Sequence, residues 1–162
     1  MPHFNAHIEQ AQRNLQFLKL INEQAPTYVD WQVTTCFYAA LHLINAHIAK
    51  AGNMQFRNHS AVKNAISPSG NFGGLKLPEE EYACYESLFS LSRRARYLIN
   101  DKDGNIGSDT PAFTSDKHLG KSIRHLDKIA KYFTTLYNLD LPKIPIKCSF
   151  IKQQDIHCFK VL

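Results

Sequence analysis

A chain of 162 residues is the size of one ordinary domain. With 44% hydrophobic and 20% charged residues, and only 7 Gly and 7 Pro, it can build a packed core and is neither disordered nor fibrous. A net charge of +5 admits a polyanionic partner without requiring one. Apolar runs stop short of the roughly 20 residues a bilayer span needs, and no basic stretch followed by an apolar run opens the chain. A cytoplasmic protein that does not enter a membrane is expected.

Phe4, Ile8, Ala11, Leu15, Leu18 and Ile21 recur at spacings of three and four, which predicts a first helix over Phe4 to Asn22 closed by Pro26. A second run from Thr27 to Ala51 places Val29, Val33, Phe37, Ala40, Leu41, Ile44 and Ile48 along one side and ends at Gly52-Asn53. It carries no charge between Asp30 and Lys50, so it is expected at the bundle centre or against a partner subunit.

Asn58 can cap a short helix from His59 to Ile66. SPSGNFGGLKL then gathers turn residues too densely for regular structure. Leu77-Pro78-Glu79-Glu80-Glu81 opens a fourth helix, with Pro at its first position and carboxylates at the positive end of its dipole. Arg93, Arg94 and Arg96 fall near the opposite end, before NDKDGNIGSDTP.

A last helix from Thr114 to Asn138 shows Leu119, Ile123, Leu126, Ala130, Phe133 and Tyr137 in alternating steps of four and three, and an excess of lysine and arginine. Residues 1–140 thus read as an all-α, antiparallel bundle of four to five helices. Residues 141–162, with two prolines and β-prone pieces, read as a short extended or hairpin C-terminal tail.

Several chemistries are disfavoured by the residues. Asp101, Asp103 and Asn105 alternate as calcium ligands do, but Gly104 stands fourth in place of sixth and Ala112 replaces the closing carboxylate. His3 with His7, and His118 with His125, lack the glutamate of a zinc-hydrolase helix. Cys36, Cys84, Cys148 and Cys158 show no CxxC spacing and read as reduced thiols. Nucleophile-elbow, phosphate-loop and dinucleotide fingerprints do not occur. No metal and no cofactor is expected.

What remains is basic and aromatic. Tyr38 and His42 sit on the long second helix, Arg57, His59 and Lys63 on the next segment, and Arg93, Arg96 and Tyr97 on the fourth helix. If they converge, arginine can hold phosphate and tyrosine can stack a base. The plain alternative is an arginine cluster answering the helix dipole. Arg93 and Arg96 share a helical face, whereas Arg94 is turned by about 100° from Arg93.

DWQVTTCFYAALHLINAHIAKAG, NHSAVKNAI and YESLFSLSRRARYLIND, in that order, resemble the small prokaryotic HEPN-like proteins over about Phe4 to Asn138. The resemblance implies an antiparallel helical bundle and a homodimer. It also implies a toxin-antitoxin, defence or stress setting, with RNA, a nucleotide or a nucleotidyltransferase-type protein as partner. Nuclease members carry an arginine followed four to six residues later by histidine; here no histidine follows Arg93, Arg94 or Arg96 at that spacing, and Asn100 stands in the interval. The resemblance therefore implies a non-catalytic binding or dimerisation module. Its alternative is an atypical metal-independent endoribonuclease in which His59 or His42 supplies the missing imidazole.

Overall fold

The computed structural model describes residues 3–103 and 110–162. Its main elements are α1 (Phe4–Gln24), α2 (Val29–Gly52), α3 (His59–Ile66), α4 (Glu79–Tyr97) and α5 (Asp116–Tyr137), followed by the short strands β1 (Ile144–Ile146) and β2 (Phe159–Val161). Among the described residues, no helix is long and apolar enough to cross a membrane. Gly104 to Asp109, the later part of the segment tested above for calcium, lie outside the described residues.

Four long helices run antiparallel in chain order. The end of α1 meets the start of α2, where the Asn22 amide donates to the Gln32 side-chain oxygen at 2.8 Å. The start of α1 meets the end of α2, where the Lys50 ammonium lies over the Phe4 ring. Glu80 pairs with Lys128, and Arg94 reaches Phe113, so α4 and α5 also run in opposite directions.

The uncharged helix is the bundle centre. α2 packs against α1, α4 and α5, and Phe37, Ile44 and Ile48 are completely buried. Most of its apolar surface is consumed within the chain, with Trp31 near its start left 57% exposed.

Local chemistry sets the helix ends. The Asn58 side chain accepts from the Ala61 N–H at 2.8 Å, opening α3 at His59 as its sequence requires. Pro78 immediately precedes α4 with extended ψ, one position earlier than its expected place inside the first turn. α2, α4 and α5 end on left-handed Asn53, Leu98 and Asn138. Asparagine tolerates that region, whereas Leu98 occupies it against its ordinary preference.

Two segments differ from their sequence expectation. SPSGNFGGLKL contains a 3-10 turn at Gly73–Leu75 and buries both Leu75 and Leu77, so its apolar residues anchor a stretch whose composition suggested a plain loop. The C-terminal strands pair in parallel, Ile144 opposite Phe159 and Ile146 opposite Val161, and not as a hairpin. Residues 147–158 provide the length of about a dozen residues that a parallel crossover needs.

This crossover is bolted to the bundle at two polar points. The buried Asp127 carboxylate accepts from the N–H groups of His157 and Cys158. Asn22 exchanges two hydrogen bonds with the Lys147 backbone, at 3.0 and 2.8 Å. Ile144, Ile146, Ile151, Ile156 and Phe159 join the same apolar core as the helices. The tail thus covers the bundle and completes its interior.

Candidate functional site

Tyr38, His59, Arg96 and Tyr97 meet where α2, α3 and α4 converge. Their support is an aromatic bed: Phe37 lies 5.4 Å from His59 and 5.7 Å from Phe89, ring centre to ring centre, and His59 lies 5.8 Å from Phe89. Phe37 is buried, whereas Tyr38, its neighbour on α2, turns outward and is half-buried.

The Arg96 guanidinium carbon lies 5.9 Å from the Tyr38 ring centre and 5.0 Å from that of Tyr97. One turn earlier on α4, Ser92 fixes its direction: Arg96 Nε donates to the Ser92 carbonyl and Nη2 to the Ser92 hydroxyl, both at 3.2 Å. Nη1 makes a longer contact of 3.4 Å with the Tyr97 hydroxyl. Arg96 forms no ion pair among the described residues, so its charge is held in place but not neutralised by a carboxylate. A guanidinium carries five N–H groups, which leaves donors for an incoming anion.

Arg93 has a different environment although it shares the helical face. Its Nη1 donates to the Asp101 carboxylate at 2.9 Å, and its guanidinium lies 5.9 Å from the Phe89 ring centre. The same carboxylate accepts from the Ser90 hydroxyl at 2.7 Å. Arg93 closes the side of the site, with Asp101 competing for its charge. Arg94 points away and donates to the Phe113 carbonyl.

His42 lies one turn beyond Tyr38 and faces α1. Its Nδ1 is 3.1 Å from Nδ1 of His7, so one ring donates and the other accepts. Burial, and then the charge His7 would carry, hold the His42 pKa below its ordinary value. His59 is also lowered, by burial and then by Arg96. Both rings are therefore neutral at pH 7. Lys63 pairs with Glu86 at 2.7 Å, and Arg57 is exposed near the start of α3.

Tyr38, Arg96 and Tyr97, named from the sequence as residues that form a site if they converge, lie together here, whereas spacing singled out neither Ser92 nor the His7–His42 pair. Ser92 precedes Arg96 by four residues, a helical spacing that could have revealed it. His7 and His42 are joined only by tertiary packing. His47, on the far end of α2, is structural: its Nε2 donates to the Leu75 carbonyl at 3.2 Å, so its Nδ1 accepts from the Tyr137 hydroxyl at 2.6 Å. Among the described residues, no group of three or more His, Cys, Asp or Glu is arranged to hold a metal ion.

Neither the protein-family models, the curated proteins nor the solved structures compared with this chain match it. The functional reading therefore rests on the residues themselves.

Proposed function

We propose that the chain is a non-catalytic HEPN-like binding module that contacts RNA or a nucleotide at the corner formed by Tyr38, His59, Arg96 and Tyr97. The observation that carries this reading is the Arg96 guanidinium, oriented by Ser92 and set over two tyrosine rings without a carboxylate partner among the described residues. Arginine supplies charge-assisted hydrogen bonds to phosphate, and the exposed Tyr97 ring supplies a stacking surface. Arg93 and His42 flank this corner.

The ribonuclease alternative needs both a proton acceptor and a proton donor at neutral pH. A neutral His59 can accept a proton, whereas His42 is engaged by His7, and Asn100 stands in the interval where the resembled nucleases carry histidine. Binding without cleavage is the expected result with single-stranded RNA. Cleavage abolished by His59→Ala would establish the alternative.

A homodimer and a nucleotidyltransferase-type protein belong to the same proposal, in a cytoplasmic toxin-antitoxin, defence or stress setting. Most of α2 is covered within the chain, and the surface assigned to self-association is the exposed Phe17 and Leu20 on one face of α1. Sedimentation across micromolar concentrations is expected to find a dimer that Leu20→Glu dissociates. A concentration-independent monomer would remove this part of the proposal.

A further inference from the structure

A second basic site lies on the other side of α4. Arg94, turned away from Arg96, forms one wall of a cleft of about 520 Å³. Lys117, Lys121 and Arg124 line it from α5, and Lys102 lines it from the turn after α4. The three α5 cations are spaced by four and three residues, so they share one helical face.

Among the described residues the cleft holds five cationic side chains and one carboxylate, that of Asp101, which is already bound by Arg93 and Ser90. Among the described residues, none of the five cations forms an ion pair. Arg94 and Arg124 are instead pinned by backbone carbonyls, donating to Phe113 at 3.0 Å and to Phe150 at 2.6 Å. Carbonyls orient a guanidinium without cancelling its charge. Converging, unneutralised cations repel one another, and a bound polyanion would relieve that repulsion.

We propose that this cleft binds the oligophosphate group of a small ligand, of the class of inorganic triphosphate or a nucleoside triphosphate. Its volume falls within the range of small-molecule sites. Its cations line one recess of bounded volume, a shape that suits a compact polyanion. Among the described residues no Phe, Tyr or Trp ring lines it, and cations outnumber every other side-chain type in the lining, so the phosphate group and not a base is what it recognises. His118, also in the lining, supports the same electrostatics: burial and then Arg94, Lys117 and Lys121 depress its pKa. The site is independent of the Tyr38 and Arg96 corner and does not require that corner to bind RNA.

The test is calorimetric titration of the full chain with inorganic tripolyphosphate and, separately, with ATP, alongside the His118 titration followed by NMR. The wild type should bind one tripolyphosphate, with ATP within a few-fold of it, and the His118 pKa should rise on binding. Lys117→Ala/Lys121→Ala should weaken binding at least tenfold. Lys143→Ala/Lys160→Ala, which removes the same charge from exposed positions elsewhere, should leave it unchanged. Absence of tripolyphosphate binding, equal loss in both double variants, or an unmoved His118 would overturn the proposal.

Discussion

Arg96 on α4 and Tyr38 on α2 hold guanidinium carbon and ring centre 5.9 Å apart, across the seam between two helices distant in sequence. The same guanidinium covers Tyr97, so one cation organises two rings of different exposure. Tyr38 is half-buried and contributes to the seam. Tyr97 is 59% exposed and has little packing to lose.

That difference separates binding from stability. Tyr97→Ala should weaken RNA binding by ~1–3 kcal/mol, the scale of one base stacked on one aromatic ring. Its unfolding free energy should stay within about 0.5 kcal/mol of wild type, as expected for an exposed site. Fluorescence anisotropy and urea denaturation check the two halves separately.

Acid should destabilise the fold through its histidines. His7, His42, His47, His59, His118 and His125 all have pKa values below the ordinary 6.5, chiefly because burial penalises the charged ring, and His125 falls to about 4. The unfolded chain therefore binds more protons than the folded one between those values and 6.5, and stability rises with pH across that window. The thermal midpoint should be level above about pH 7 and fall progressively toward pH 4.5. A midpoint flat over this range would contradict the burial of these rings.

Asp127 is the polar anchor of the C-terminal crossover. Asp127→Ala removes the acceptor for the His157 and Cys158 N–H groups and should cost ~2–3 kcal/mol, as for hydrogen bonds to a charged group. Hydrogen exchange should rise first at residues 157–161, because the bundle helices keep their own backbone bonds. Uniform acceleration along the chain would show that tail and bundle unfold as one unit.

Gly120 explains why a poor helix former sits inside α5. A Cβ there would lie 2.8 Å from Cβ of Phe150, an atom fixed to the crossover backbone. Gly120→Ala gains about 1 kcal/mol of helix propensity but meets an overpacking cost of ~1–3 kcal/mol. Net destabilisation of up to about 2 kcal/mol is expected in urea denaturation. A stabilised variant would mean that the crossover shifts freely on α5.

The helices were legible because their stripes repeat with the helical period and their ends carry local signals, as at Asn58 before α3. The missing charges of α2 marked it as covered on more than one face, but left open whether the bundle or a partner subunit covers it. The parallel β1–β2 pairing was not legible, because it depends on Asn22 and Asp127, which lie far away in sequence and look like ordinary polar residues there. The site was legible in part: helical geometry separates Arg94 from Arg93 and Arg96. It does not say that Asp101 takes Arg93 while Arg96 has no carboxylate among the described residues. That distinction arises from the chain beyond Leu98.

The most direct measurement is the affinity of the full chain for labelled single-stranded RNA, compared between wild type and Arg96→Ala at two salt concentrations. The account predicts saturable, salt-sensitive binding to the wild type without cleavage. It predicts a loss of ~1–3 kcal/mol in the variant, about 5- to 150-fold in Kd, with an unchanged helical circular dichroism spectrum. Absence of binding, or equal affinity in the two proteins, would contradict it.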